Sequence, residues 1–164
     1  MAKFDRLDRA ILELLNHDAR TPSAQIARQL GESARTVQNR IQRLVGLGAV
    51  QLVGVINPVP FGYSLAVDIF CDLEVGYQEQ ALQALLEMPN ITYVAISTGD
   101  QDLSLQAIFK DSAEMQDFIT HKLHQVPGMR RTRTVLIPSI LKDTYQWLPS
   151  SSDFEQADIE SNNA

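Results

Sequence analysis

Apolar residues recur at intervals of three and four through the first fifty positions, and mostly at intervals of two beyond position 62. Leu7, Ile11, Leu14 and Leu15 put one stripe on "FDRLDRAILELLNHDA", which predicts an amphipathic helix with acidic residues near its start. "TPSAQIARQLG" predicts a second, short helix. Thr21 is the expected cap, Pro22 suits the first turn, Ile26, Ala27 and Leu30 form the buried stripe, and Gly31 ends it. In "ESARTVQNRIQRLVGLG", residues 32–48, Ser33 caps a third helix with Ala34, Val37, Ile41 and Leu44 turned inward, and Gly46 and Gly48 stop it. The second and third helices, joined by a tight turn at Gly31, match the helix-turn-helix pattern. "AVQLVGVINP" predicts a strand, one half of a wing or a hinge, and "NPVPFG" at 57–62 interrupts regular structure as a domain boundary.

In the second half, "SLAVDIFCDLE" alternates Leu65, Val67, Ile69, Cys71 and Leu73 with Ala66, Asp68, Phe70, Asp72 and Glu74, the pattern of a half-buried strand. A helix follows through Ala81, Leu82, Leu85 and Leu86, ahead of Pro89. "ITYVAIS" and "LSLQAIF" predict strands joined by a hairpin loop at "TGDQD". Met115, Phe118, Ile119, Leu123 and Val126 mark another helix, closed at Pro127 and Gly128, and "MRRTRTVLI" is the last strand. The order strand, helix, strand, strand, helix, strand predicts an α+β chain: a winged helix-turn-helix followed by a ferredoxin-like βαββαβ domain. Its sheet has one face open, and Phe70, Val94, Ile96 and Ile108 are expected there, covered by a second copy of the chain. The expected division is 1–50 for the helix-turn-helix, 51–62 for strand and linker, 63–142 for the second domain, and 143–164 for a polar, acidic tail largely without fixed structure.

Charge sharpens this division. The chain has a formal net charge of -6, yet residues 1–58 hold eight basic against five acidic groups, a net of +3, and the remainder holds six against fifteen, a net of -9. A basic part next to an acidic one points to a polyanion as partner of the first. With its stripe turned inward, the third helix is expected to expose Arg35, Thr36, Gln38, Asn39, Arg40, Gln42 and Arg43, which carry only positive charge, amides and a hydroxyl. Arginine pairs with guanine, Asn or Gln pairs with adenine, and all of them hold phosphate oxygens. The N-terminal part of such a helix meets base edges. Arg35, Thr36 and Asn39 are therefore the expected base readers, Arg40 and Arg43 the phosphate contacts, and Ser33 a cap or phosphate contact. The expected partner is double-stranded DNA.

The series "LDRAILELL", the S-x-x-x-V-x-x-R-I-x-R-L-x-x-x-G pattern from Ser33 to Gly48, "INP", "STGDQDL" and "PGMRRTRT" resembles the feast/famine regulators of the leucine-responsive and asparagine-regulator (Lrp/AsnC) type, from Asp5 to about Leu141. The resemblance implies an N-terminal winged helix-turn-helix, a C-terminal domain for effector binding and assembly, dimers joined through their sheets, and frequently octamers. It also implies an amino-acid effector near the loop after the second strand of that domain. The matching residues are Ser97, Thr98, Gly99, Asp100 and Asp102, with Thr132 and Thr134 on the last strand. A carboxylate suits the effector's ammonium group, and backbone N–H groups around a glycine suit its carboxylate.

Other chemistry is thinly represented. Asp117, His121 and His124 have helical spacing that can hold a metal, but no fourth ligand accompanies them, and no metal or cofactor is expected. Cys71 alternates with the core side of its strand and forms no internal disulfide, in keeping with a reducing compartment. Motifs for nucleotide phosphates, serine hydrolysis and zinc proteolysis are absent. No apolar run reaches the roughly 20 residues of a membrane span, so a cytoplasmic protein is expected. Siroheme decarboxylases look like the same two-domain arrangement, with a His- and Arg-rich segment near the first strand of the second domain. "NPVPFGYSLAVDIF" has neither residue there, and the chain is expected not to be an enzyme. An architectural protein that binds DNA with little sequence preference is the other alternative.

Overall fold

The computed structural model describes residues 3–142 and 147–154, which form two compact units. One runs to Val55 and takes in the C-terminal stretch from Lys142; the other is Ile56–Leu141.

The first unit holds three helices, α1 (Arg6–His17), α2 (Ser23–Leu30) and α3 (Ala34–Gly46). Asp5 caps α1 in a reciprocal box with Asp8, each carboxylate accepting the other's backbone N–H. Pro22, not Thr21, is the N-cap of α2, and the Thr21 hydroxyl donates instead to the Asp18 carbonyl. Gly31 closes α2 in the left-handed region, where a side chain would be strained. Ser33 caps α3 by accepting the Thr36 N–H. The end of α3 is a Schellman turn: Gly48 donates to Val45 and Ala49 to Leu44. Ile11, Leu12, Leu15, Ile26, Ala27, Val37 and Leu44 make the core. Ala34, expected in that stripe, lies exposed in the first turn of α3.

Two expectations fail here. Residues 50–57 form no strand, and Leu52, Val53, Val55 and Ile56 stay exposed, so the helix-turn-helix has no wing hairpin among the described residues. A lone extended segment has no ladder to join, whatever its alternation. The tail also departs from expectation. Residues 147–154 include a 3-10 turn at Ser151–Asp153, and Phe154 is buried in the helical core with Leu148 against it. The rest of the expected tail lies outside the described residues, apart from these.

The second unit runs β1 (Leu65–Leu73), α4 (Gln78–Leu86), β2 (Ile91–Ile96), β3 (Leu103–Phe109), α5 (Ser112–His121) and β4 (Met129–Ile137). Its sheet has the order β2-β3-β1-β4, all antiparallel, with α4 and α5 contributing to the core on one face. This is the ferredoxin-like arrangement. Val67, Ile69, Cys71, Leu105, Ala107 and Phe109 alternate onto the helix side, where Phe109 and Phe118 stack with centroids 5.2 Å apart. Burial, with Asp72 next in the chain, pushes the Cys71 thiol up to about 12, so it is a core residue and not a nucleophile.

Val94 and Ile96 are corrected to the helix side, since they pair with Leu105 and Leu103. The register slips between Ile91 and Tyr93, and one extra residue on β2 reverses the face of all that follow. The open face carries Ala66, Phe70, Ile108, Val135 and Ile137 together with Tyr93, interspersed with Asp68, Asp72, Gln106, Arg131 and Arg133.

Gly128 precedes β4 with φ of 73°, and a Cβ there would stand 2.2 Å from the Tyr77 Cβ. Neither that conformation nor an atom so near the Tyr77 backbone yields cheaply. Gly128→Ala is expected to destabilise the unit by about 2–4 kcal/mol, from left-handed strain and overpacking together. Urea unfolding followed by circular dichroism checks this; an unchanged midpoint would contradict it.

Candidate nucleic-acid interface and effector pocket

The amphipathic pattern of α3 fixes which side chains point outward, and the structure divides them into two groups. Arg35, Gln38, Asn39 and Gln42 are exposed and Thr36 is half-buried. Arg35 has no hydrogen-bond or ion-pair partner among the described residues. The Thr36 hydroxyl lies 2.8 Å from that of Ser33, so both belong to the capped N-terminus of the helix. This end also presents the positive pole of the helix dipole.

Arg40 and Arg43 do not stand free in solvent as the pattern predicts. Arg40 Nη1 donates to Asp5 at 2.7 Å and to Asp8 at 3.1 Å, while Arg43 Nη1 donates to the other Asp8 oxygen at 3.0 Å. Arg43 Nη2 also donates to the Lys3 carbonyl, and its guanidinium lies over the Phe4 ring. Asp8 is fully buried at the centre of this cluster. Its role was not legible as a site, although the acidic start of α1 was.

The cluster predicts an acid-sensitive first unit. Burial works to raise the Asp5 pKa, but the Asp8 backbone N–H and the Arg40 guanidinium prevail and hold it below the usual carboxylate range. Its stabilising contribution is therefore present above the unfolded value of about 3.9 and disappears as pH falls through the lower folded value. Asn is also a good N-cap, so Asp5→Asn is expected to keep the helix start and lose less stability on acidification. Urea midpoints measured from neutral pH down to acid would show equal losses in both chains if this were wrong.

In the second unit the expected effector residues separate. Ser97–Asp102 joins β2 to β3 as the predicted hairpin loop, with the Ser97 N–H on the Asp102 carbonyl and Gly99 at φ of 147°. The Asp102 carboxylate accepts the Leu73 N–H at 2.7 Å and so fastens the loop to β1. Thr132 and Thr134 pair with Cys71 and Ile69, which puts them on the helix side of the sheet. His121 Nδ1 and Asp117 pair with each other at 3.0 Å, while His124 Nε2 lies 3.0 Å from the Thr132 hydroxyl, so His124 does not join the other two possible metal ligands. No metal-ligating group of three occurs among the described residues.

Asp100 lies elsewhere, on a hollow of about 280 Å³ lined by Phe70, Asp72, Asp100, Gln101, Arg131 and Arg133. Asp72 opposes Arg131 and Phe70 opposes Arg133 on adjacent strands, with the Arg133 guanidinium 4.7 Å from the Phe70 ring centroid. No ion pair closes between these carboxylates and guanidiniums among the described residues. Both charge signs therefore face one small space. The sequence signal for it was the alternation of β1 and β4, which put Phe70, Asp72, Arg131 and Arg133 on the open face. A larger hollow of about 640 Å³ in the first unit has mostly apolar walls with no charged side chain.

No described helix is long and apolar enough to cross a membrane. Residues 4–45 match the AsnC-type helix-turn-helix domain, and residues 67–147 match the Lrp/AsnC ligand binding domain. A helix-turn-helix-type transcriptional regulator of Pyrococcus horikoshii is 33% identical over 144 residues, covering 87% of this chain and 91% of its own. The regulator LrpA of the same organism is 30% identical over 140 residues, covering 85% and 99%. Among solved structures, a transcriptional regulator of Neisseria meningitidis in complex with L-Met superposes with a TM-score of 0.85 at 21% identity, covering 92% of this chain and 99% of that one. The fold, the two matched domains and these relatives together place the chain in the Lrp/AsnC family of transcriptional regulators, which joins a DNA-binding helix-turn-helix to a ligand-binding domain and is not a family of enzymes.

Proposed function

We propose that this regulator binds duplex DNA with sequence preference through the exposed face of α3, and that an amino acid in its second unit modulates the binding. The observation that carries the DNA reading is Arg35, without a partner among the described residues, beside exposed Gln38 and Asn39 on the first turns of a capped helix. In this reading Arg35, Thr36 and Asn39 contact base edges. Ser33 holds the helix start near a phosphate, while Arg40 and Arg43 reach phosphates with the donors their carboxylate partners leave open.

For the effector, the hollow at Asp100 suits a zwitterion. Arg131 or Arg133 would take its carboxylate, Asp72 or Asp100 its ammonium group, and Phe70 an apolar side chain. Ser97, Thr98 and Gly99 shape the loop beside it, whereas Asp102, Thr132 and Thr134 are outside the proposed contact set. The bound L-Met of the Neisseria neighbour supports an amino acid as the ligand class. The mixed apolar face of the sheet suits dimers joined face to face, with octamers as the larger assembly. A ligand at such a contact changes DNA occupancy only if its affinity differs between assembly states.

Recovery of bound genomic fragments with and without each amino acid tests the whole reading. A small set of enriched sequences, changed by one or a few amino acids, is expected. Uniform recovery of all fragments would favour an architectural protein, and an unchanged set with every amino acid would remove the effector.

A further inference from the structure

We infer that Asp8, seconded by Asp5, is a positioning residue that limits how much of the positive charge of α3 is available to DNA. The inference rests on the DNA-binding reading above. Asp8 is the one fully buried charged residue among those described, and each of its oxygens takes a different arginine of α3. Asp5 takes the nearer head of Arg40 as well. Two carboxylates against two guanidiniums leave a cluster of zero net charge on a helix whose only other charged residue is Arg35. The basic helix is thus far less basic toward a phosphate than its sequence states.

The heads are held but not sealed. Arg40 and Arg43 keep 32% and 38% of their side-chain surface exposed, and the Nε and Nη2 groups of Arg40 have no partner among the described residues. A DNA phosphate approaching this flank meets guanidinium groups whose Nη1 donors are already bonded to carboxylates. The carboxylates therefore act as internal competitors. Neutralising one leaves the cluster at a net charge of +1 and adds about one phosphate's worth of counterion release to any duplex complex, whatever its sequence.

The test is the salt dependence of binding to a random-sequence duplex by the full chain and by Asp5→Asn, Asp8→Asn and Asp8→Asn with Arg43→Gln. Each single variant is expected to steepen the plot of log affinity against log salt by about 0.9 and to bind about fivefold to tenfold more tightly at 0.1 M salt. The double variant should return to the original slope, a rescue that a merely structural role for Asp8 would not give. If Asp8→Asn fails to fold, Asp5→Asn decides the matter, because Asn preserves the cap and the Asp5 side chain is partly exposed. Folded single variants with unchanged or shallower slopes would overturn this inference while leaving DNA binding intact. A wild-type chain that binds no duplex would overturn both.

Discussion

Asp8→Ala is expected to cost the first unit about 3 kcal/mol, most of what a small domain of this kind has to spare. The substitution removes three hydrogen bonds at once, from Arg40, Arg43 and the Asp5 backbone. It leaves the Asp5 N–H without its capping partner and two guanidinium heads beside an uncharged methyl group. Removing one member of a buried ion pair commonly costs 3–5 kcal/mol, and the lower end applies because water still reaches both arginines. Urea unfolding followed by circular dichroism should show the loss. A midpoint within the error of the wild type would mean that the cluster contributes no net stability. This variant differs from the isosteric Asp8→Asn, in which the amide keeps the volume and part of the capping.

Phe109→Ala is expected to destabilise the second unit by about 4 kcal/mol. Phe109 is fully buried at the end of β3, pairs with Leu65 across the sheet and stacks on Phe118 of α5. Truncation removes apolar surface from the core and leaves a cavity that α5 and the sheet fill only in part, a combination that usually costs 3–5 kcal/mol for phenylalanine. The ring pair adds to this, since an edge-tilted contact at this separation contributes beyond its area. Phe118→Ala should behave similarly, and the double variant should cost less than the sum of the two because they share one contact. Denaturant midpoints of the three variants check this. Strict additivity would mean that the rings do not interact.

Helix positions were legible in the residues, because a stripe at intervals of three and four together with Ser33 and Gly31 leaves few alternatives for the chain, whereas the N-caps at Asp5 and Pro22 were not. The ferredoxin-like order was legible from the alternation of the strands and the two apolar helical stripes between them, but α5 ends at His121, with a separate 3-10 turn at Leu123–Gln125, and does not run on to Val126 ahead of Pro127 as its stripe predicted. The facing of Val94 and Ile96 was not legible, since a single bulged residue on β2 reverses a strand without changing its composition. Nor was the burial of Phe154, one large apolar residue in a polar stretch whose average says solvent.

At the site, periodicity could place Arg40 and Arg43 on the outer surface of α3 but could not show that they turn toward carboxylates about 35 residues earlier. Long side chains choose their partners through tertiary geometry, which alternation and helical spacing do not encode. The same limit divided the expected effector residues. Asp100 and Asp102 are two positions apart in one loop, yet one lines an open hollow and the other is spent on the Leu73 backbone. Thr132 and Thr134 do share a face, as alternation requires, but it is the face away from that hollow.

The central claim, that the exposed start of α3 reads DNA, is tested most directly by comparing wild type and Arg35→Ala on a selected duplex and on random duplex at equal salt. Tight, salt-sensitive binding is expected of the wild type, and for Arg35→Ala a loss of about 1–3 kcal/mol on the selected duplex with a much smaller loss on random sequence. Equal losses on both duplexes would contradict base reading by Arg35, and the absence of wild-type binding at low salt would contradict the interface itself.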